Sequence, residues 1–347
     1  MAQKHKKFNL HGSLLDKSKE DKAYRKSIEK RSWGRGLVSS APFPKKFRLS
    51  FIPAMIAVSI LYAIVNLLPF SCLVATGRLI GHIMRLTMKK RAYVLRTNID
   101  LAFPSWSEEQ KQEFEREVFA NSGVAVFEMG IAWYWPDWRF KRIISCDEKE
   151  LELARELAAK DTRTLVLTCH FFHLEIMARA YAMLVKPGVG VYRPSNDPMW
   201  EYFQVRGRLR TNLALVDRTD GRSLIRALMQ GHPIWYAPDQ DYGLKASIFV
   251  PYFGVQETST ITGTHDLARI KGTIVQPSWT VRTDKGYNLY IKEPLDNFPS
   301  EDKVQDTIRV NQALEKMIGS APDQYLWMHR RFKTVPKGQT TRYPDIL

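Results

Sequence analysis

The sequence predicts an α/β protein: an α/β/α sandwich with a largely parallel mixed sheet, preceded by an N-terminal membrane helix. Three observations lead to this class. From residue 163 onward, short apolar, β-branched runs alternate with helical patterns, as in sheets whose parallel strands are joined by helices. Hydrophobic residues make up 44% of the chain, which excludes disorder for most of it. Residues 49–77 carry no charged side chain, which predicts the membrane helix.

The predicted strands are short runs rich in β-branched and aromatic residues. They cover 164–169, 188–193, 213–217, 233–238, 274–281 and 287–293. Helical patterns between several of them cover 173–184, 198–210, 221–230 and 259–271. Because sites in such sheets lie beyond the carboxyl ends of the strands, polar residues at those ends are the first candidates for function.

Upstream of the sheet the sequence predicts two further helices. Residues 78–102 form a basic helix, and a second helix starts where Ser105 or Ser107 can cap it and extends to about Gly130. The aromatic segment IAWYWPDW (131–138) follows. Two interpretations of it stay open: packing within the core, or contact with a membrane interface or an acyl chain.

The charge-free segment 49–77 is long enough to cross a bilayer, which takes about 20 apolar residues. It is too long and starts too far into the chain for a signal peptide. We expect Pro53 and Pro69 to trim or kink it. Basic residues flank it on both sides, so a spanning helix and a re-entrant helix kinked at Pro69 both remain possible. The predicted domains are a basic extension (1–48), an anchor helix (49–77) and a main domain (78–343).

The chain is strongly basic, with 52 Lys and Arg against 36 Asp and Glu and a net charge of +16. This balance implies an acidic partner or an anionic membrane. Residues 1–48 hold fourteen Lys or Arg and four Asp or Glu, a net charge of +10. A solvated tail and a segment that binds anionic lipid headgroups both fit. The three cysteines are far apart, so we expect neither a disulfide framework nor a zinc site.

The stretch LTCHFFHLEIM (167–177) contains the strongest catalytic candidates. His170 follows a predicted strand, and Glu175 falls in the first turn of the next predicted helix. If the turn folds back, the carboxylate can orient the imidazole as a general base, whose ordinary pKa of about 6.5 suits proton removal from a hydroxyl. Alternatively, Glu175 is an acidic residue favoured by the helix dipole, and His170 is an ordinary buried histidine.

Two neighbours are weaker candidates for the same chemistry. Cys169 would be a nucleophile beside His170, but adjacent residues of an extended strand point to opposite faces. His173 would be an alternative base, but no acid follows it at the same spacing.

Polar groups also follow other predicted strands. Arg193 lies in VYRPSNDP, and its guanidinium suits binding of phosphate or carboxylate. Asp239 lies in YAPDQDYG, together with Gln240 and Asp241. Their shared position at strand ends raises the probability that they belong to one site.

Several of these stretches resemble the late acyltransferases of lipid A biosynthesis, and they look most like its lauroyltransferase branch. The resemblance covers about residues 50–343, and HFFHLE fits the His-x4-Asp/Glu motif of that superfamily. The stretches that carry it are NIDLAFPSWS (98–107), HFFHLE (170–175), GVGVYRP (188–194), RGRLR (206–210), WYAPDQDYG (235–243), FVPYFG (249–254), TSTITGT (258–264) and PDQYLWMHRRFKT (322–334). Residues 1–48 extend beyond the usual start of the family.

The resemblance implies a glycerolphosphate-acyltransferase-like fold for the domain 78–343 and a specific reaction. An acyl chain, lauroyl or similar, passes from acyl carrier protein to a hydroxyacyl chain of a Kdo-bearing tetra-acylated lipid A precursor. It further implies attachment to the anionic lipids of a Gram-negative inner membrane, with the catalytic domain facing the cytoplasm. No metal or cofactor is implied, because a thioester is already an activated acyl group.

The resemblance also implies roles for four residues. His170 is the catalytic base, and Glu175 holds and charges its imidazole. Arg193 is assigned to substrate binding, on a sugar phosphate or the developing oxyanion. Asp239, also assigned to substrate binding, orders Arg193 or a sugar hydroxyl.

Two alternatives differ in the use of these residues. A membrane acyltransferase acting on a lysophospholipid or glycerol phosphate would share the His170–Glu175 dyad, although the motifs after residue 188 argue against it. A non-enzymatic lipid-binding protein would leave the dyad unused. The chain lacks the interleaved aromatic and basic residues that stack single-stranded nucleic acid, so no nucleic-acid partner is expected.

Overall fold

The structure is a computed structural model that describes residues 36–41, 43–44 and 48–344. Its centre is an eight-stranded mixed sheet in the order β1-β5-β4-β6-β3-β9-β10-β2. The strands are β1 (Leu37–Val38), β2 (Ile144–Cys146), β3 (Arg163–Leu167), β4 (Val189–Tyr192), β5 (Ala214–Asp217), β6 (Ile234–Tyr236), β9 (Thr273–Thr283) and β10 (Gly286–Ile291). Most of the basic extension predicted over residues 1–48 therefore lies outside the described residues.

The five central strands, from β5 through β4, β6 and β3 to β9, are all parallel. The outer strands β1 and β10 pair antiparallel with β5 and β9, so the sheet is mixed, as predicted. β3 and β6 are neighbours, with Leu167 opposite Tyr236. Their carboxyl ends therefore lie side by side at one edge of the sheet.

Helices cover both faces of this sheet, which confirms the predicted α/β/α class. They are α1 (Ile52–Leu67), α2 (Phe70–Thr87), α3 (Lys89–Ala102), α4 (Glu108–Tyr134), α5 (Asp137–Lys141), α6 (Glu148–Ala159), α7 (Leu174–Leu184), α8 (Pro198–Arg208), α9 (Gly221–Met229), α10 (Gly263–Ala268) and α11 (Lys303–Gly319). A separate hairpin joins β7 (Ser247–Tyr252) to β8 (Val255–Ile261), and it packs on α11. This hairpin occupies the start of the helix predicted over 259–271, which is reduced to the short α10.

The charge-free segment 49–77 is not one helix. Leu68 and Pro69 are extended and separate α1 from α2, because proline cannot continue the hydrogen bonds of the preceding helix. The predicted basic helix 78–102 is likewise divided, between the end of α2 and α3. A helical stretch at Leu49–Leu67 is long and apolar enough to cross a membrane by length and composition.

α4 is the longest of the described helices and joins the N-terminal helices to the sheet. Ser107, one of the two serines predicted as its cap, forms a capping box with Gln110. On the sheet side, the buried carboxylate of Glu128 accepts hydrogen bonds from Arg282 (2.7 Å) and from the Tyr287 hydroxyl (2.8 Å). A buried charge is stable only when it is paired in this way, so these contacts fix α4 against β9 and β10.

Glycines allow α2 and α4 to touch through their backbones. A Cβ on Gly123 would lie 2.1 Å from the carbonyl oxygen of Gly77 and 2.3 Å from the nitrogen of Gly81. Neither neighbour is a flexible side chain that could move away. Only glycine therefore fits at position 123.

We expect Gly123→Ala to lower the free energy of unfolding by about 1–3 kcal/mol, the usual cost of overpacking. Thermal or denaturant unfolding of the detergent-solubilised protein measures this change. The matched control is Gly319→Ala at the end of α11, where a Cβ meets nothing within 4 Å. Equal stability of the two variants would mean that α2 and α4 are not in backbone contact.

Candidate active site

His170 and Asp239 meet where two neighbouring strands end. His170 lies three residues beyond β3, and Asp239 lies three residues beyond β6. The Nδ1 atom of His170 is 2.6 Å from Oδ1 of Asp239, and the backbone N–H of His170 donates to Oδ2 at 2.9 Å. The carboxylate is completely buried, whereas 27% of the His170 side chain is exposed. The imidazole is thus anchored from behind and open on one side.

A tyrosine from the C-terminal segment completes the shell of Asp239. The hydroxyl of Tyr325 donates to Oδ2 at 2.8 Å. The backbone around it forms an isolated β-bridge with the loop after β3, in which Leu326 N–H donates to the carbonyl oxygen of His170 (3.0 Å). Three donors therefore fix the Asp239 carboxylate, and the segment that supplies one of them also holds the His170 backbone.

The charges of this pair stabilise each other. Burial alone would lower the pKa of His170, but the negative charge and hydrogen bond of Asp239 outweigh burial and raise it above 6.5. Burial would raise the pKa of Asp239, but the same contacts, together with the hydrogen bond from Tyr325, hold it well below its ordinary value. Asp239 is therefore an anion at neutral pH.

An ionised Asp239 can only accept hydrogen bonds, so Nδ1 of His170 carries the proton between them. Nε2 is then an unprotonated acceptor, and no described residue hydrogen-bonds to it. Protonation of Nε2 would produce an imidazolium beside a buried carboxylate. The geometry is that of a general base with an orienting acid.

The carboxylate that hydrogen-bonds to His170 is that of Asp239 and not that of Glu175, the partner expected from the sequence. Glu175 lies in the first turn of α7, as predicted, but Oε1 accepts from Arg208 (Nε 2.7 Å, Nη2 2.6 Å) and Oε2 from Trp133 (Nε1 3.2 Å). The positive charge of Arg208 opposes protonation of His170 and so acts against Asp239 on its pKa. Glu175 thus pairs with a cation near His170 and does not contact the imidazole.

Arg193 is at the same edge of the sheet. It directly follows β4, which is separated from β3 by β6. Its side chain is exposed and makes no hydrogen bond to any described residue. The structure therefore places Arg193 at this edge without a contact to His170 or Asp239, and its substrate-binding role stays a prediction.

The two rival candidates are buried. Burial raises the pKa of the Cys169 thiol well above its ordinary value, which suppresses the thiolate that a nucleophile requires. His173 is fully buried, with Nδ1 2.9 Å from the Thr280 hydroxyl and Nε2 2.9 Å from Oε1 of Gln324. Burial lowers its pKa. His173 therefore has no nitrogen available for a substrate.

Two residues of the site carried no assigned role at the sequence level. Arg208 lies in RGRLR and Tyr325 in PDQYLWMHRRFKT, both of which contributed to the family resemblance. Their position in these motifs was the only sequence feature that could have pointed to a role, because neither residue lies near His170 in the chain. Among the residues described, no group of three or more His, Cys, Asp or Glu side chains could hold a metal ion.

Comparison with known proteins assigns the chain to a family. A family model described as "Bacterial lipid A biosynthesis acyltransferase" matches residues 41–334. The chain belongs to this family. It is therefore an acyltransferase.

Similar family members carry names that differ in the acyl group. The chain is 38% identical over 290 residues to a lipid A biosynthesis lauroyltransferase of Escherichia coli K12, covering 83% of this chain and 94% of the relative. It is 37% identical over 278 residues to a palmitoleoyltransferase of the same organism, covering 80% and 90%. A myristoyltransferase from that strain is 26% identical over 271 residues, covering 77% and 81%. The same family therefore includes enzymes named for three different acyl chains.

For this acyltransferase we expect Tyr325→Phe to lower kcat about tenfold, because a hydrogen bond to a buried charge is lost. The KM values should stay within about twofold, since Tyr325 contacts Asp239 and not the substrate. A carboxylate with one donor fewer attracts the His170 proton more strongly. The acid limb of the pH–rate profile should therefore move to higher pH.

Steady-state kinetics across pH measure both effects. The matched control is Tyr290→Phe, because Tyr290 stacks on Trp279 and its hydroxyl makes no hydrogen bond to a described residue. An unchanged kcat together with an unchanged pH profile in Tyr325→Phe would show that Tyr325 does not position the pair.

Proposed function

We propose that this acyltransferase moves a fatty acyl chain from acyl carrier protein to a hydroxyacyl chain of a Kdo-bearing tetra-acylated lipid A precursor. The observation that carries the proposal is the His170–Asp239 pair, an open base supported by a buried anion. The names of the relatives favour lauroyl or palmitoleoyl as the chain transferred.

The proposed reaction begins at Nε2 of His170, which removes the proton from the lipid hydroxyl as its oxygen attacks the thioester carbonyl. The imidazolium that forms is stabilised by Asp239. The tetrahedral intermediate collapses, the carbon–sulfur bond breaks, and the thiolate leaves with the proton that His170 held. An ester and a free carrier thiol result, and His170 returns to its neutral form.

Glu175 and Arg208 form a second charged pair near the base. We assign Glu175 a positioning role, in which it fixes the guanidinium of Arg208 beside His170. A fixed cation there would stabilise the negative charge that develops on the thioester oxygen. Arg193, exposed after β4, is assigned to a phosphate or to this oxyanion, as predicted from the sequence.

The proposed location is the inner membrane of a Gram-negative cell, with the catalytic domain on the cytoplasmic side, where acyl carrier protein is present. Ile56 and Ile60 of α1 are exposed apolar side chains, which suits contact with lipid. The net charge of +16 would attract both the anionic bilayer and an acidic carrier protein.

The test is a transfer assay with purified protein in detergent, a panel of acyl carrier protein thioesters of different chain length, and several acceptors. The acceptors are tetra-acylated lipid A precursor with and without Kdo, a lysophospholipid and glycerol phosphate, and mass spectrometry identifies the products. We expect one added acyl chain on the Kdo-bearing precursor. Transfer only to the lysophospholipid or glycerol phosphate would overturn the proposed acceptor, and transfer only from acyl-coenzyme A would overturn the proposed donor.

A further inference from the structure

A second cleft lies beside the first helix. It is bounded by α1, by the C-terminal end of α4, by α8 and by the residues that follow β1, and its volume is about 910 Å³. We call it the α1–α8 cleft. Nothing in the proposed chemistry of His170 uses it.

The cleft combines cations with an aromatic wall. Arg206 and Arg210 line it, and no Asp or Glu is among the described residues that form its wall. Tyr62, Tyr134 and Phe203 supply large ring surfaces. This combination fits a ligand that carries both an anion and hydrocarbon.

Arg206 is available to such an anion. Its guanidinium donates to the hydroxyl of Tyr202 (2.5 Å), and no carboxylate of the described residues pairs with it. Arg210 donates to the carbonyl oxygen of Trp133 (2.9 Å). Asp137 forms an ion pair with Arg179 (2.7 Å) and a longer one with Arg210 (3.9 Å), so its charge is shared between the two arginines.

The cleft is bounded by α1 on one side and by an indole that contacts Glu175 on the other. Tyr62 on its wall belongs to α1, whose exposed apolar residues suit a bilayer. Trp133 also lines the cleft, and its indole N–H donates to Glu175. Gly207 permits this arrangement, because a Cβ there would lie 2.3 Å from the Trp133 ring. One indole therefore separates the cleft from the Glu175–Arg208 pair.

We propose that the α1–α8 cleft binds the phosphorylated end of the lipid acceptor, with its phosphate on Arg206 and Arg210 and an acyl chain along the aromatic wall. This inference rests on the proposed function, since it takes the acceptor to be an anionic glycolipid. Arginine suits the phosphate because its donors match two oxygens at once. A lipid held there extends past Trp133 towards His170, so the cleft would supply binding energy for the acceptor.

The experiment compares wild type, Arg206→Ala, Arg206→Lys and Arg226→Ala in mixed micelles at fixed detergent. Arg226 is the matched control, because it is an exposed arginine of α9 outside the cleft. Each protein is assayed with the phosphorylated acceptor and with the same acceptor after phosphatase treatment. Binding to phosphatidylglycerol vesicles is measured in parallel.

We expect Arg206→Ala to raise the KM for the phosphorylated acceptor about tenfold, as for the loss of a charge-assisted hydrogen bond, with kcat within about twofold. Arg206→Lys should lie between Arg206→Ala and wild type. On the dephosphorylated acceptor the wild-type KM should itself be raised, and Arg206→Ala should add no further increase. Arg226→Ala should behave as wild type throughout.

Three results would overturn the assignment. Arg206→Ala could match Arg226→Ala on the phosphorylated acceptor, or it could raise KM equally on both acceptors, which would exclude the phosphate. A loss of vesicle binding specific to Arg206→Ala would assign the cleft to a bilayer phospholipid. The proposed function is tested separately, by whether the wild-type protein transfers an acyl chain to the acceptor at all. If only the cleft assignment is wrong, wild-type transfer is unaffected, and only the KM values of Arg206→Ala differ from those expected.

Discussion

His170→Ala is expected to lower kcat by about 10²–10⁴-fold, the usual contribution of a positioned general base. This corresponds to about 3–5 kcal/mol of transition-state stabilisation. The loss should fall on kcat, because the imidazole acts on the proton that moves and binds neither the acyl chain nor the carrier. The assay is steady-state transfer at saturating thioester and acceptor.

The control for this variant must separate chemistry from folding. His82→Ala removes an exposed imidazole from α2 and should retain wild-type turnover. His170→Ala removes one of the three donors to the buried Asp239 carboxylate, so its unfolding temperature should fall, and turnover is therefore measured well below that temperature. Turnover near wild type in a folded His170→Ala protein would eliminate His170 as the base.

The central sheet could be predicted from sequence because each of its longer strands is visible as a short run of β-branched and apolar residues. Each of the six predicted strands is present, with ends that differ by at most two residues. Alternation with helices identified the parallel core, since only crossover connections can join parallel strands. The hairpin of β7 and β8 was missed, because Pro251 interrupts the apolar run of β7 and polar residues conceal the two-residue period of β8.

The carboxylate that contacts His170 in the structure could not be predicted from the sequence, for a different reason. Glu175 is five residues from His170 in the chain, whereas Asp239 is 69 residues away. Their contact depends on β6 pairing directly with β3, and strand order is not encoded in local periodicity. The sequence did place Asp239 at a strand end. Its position near the site was therefore predicted, but its contact with His170 was not.

The buried contacts that support the site could not be predicted from the sequence either. Tyr325 approaches Asp239 only because the C-terminal segment returns to the loop after β3. Glu128 and Arg282 are 154 residues apart and pair inside the protein. Charge patterns along a chain cannot reveal such pairs, because each partner alone looks like an ordinary surface charge.

Asp239→Asn is expected to reduce kcat by about 10²–10⁴-fold while leaving the fold intact, as when the acid of a His–acid pair is neutralised in place. The amide can donate its hydrogen to Nδ1, which would move the imidazole proton to Nε2. The base would then present a hydrogen where it needs a lone pair. Asp217→Asn is the matched control, because that aspartate also ends a strand, but among the described residues its carboxylate accepts hydrogen bonds only from the Thr219 backbone and hydroxyl.

The pH dependence of Asp239→Asn carries the sharper test. A general base works in its neutral form, so wild-type kcat/KM should rise with pH through the pKa of His170, which Asp239 holds above 6.5. Without the negative charge, burial and Arg208 dominate and the pKa of His170 falls. The acid limb of Asp239→Asn should therefore move to lower pH, opposite in direction to Tyr325→Phe. An acid limb that stays in place would mean that the titrating group is not the imidazole held by Asp239.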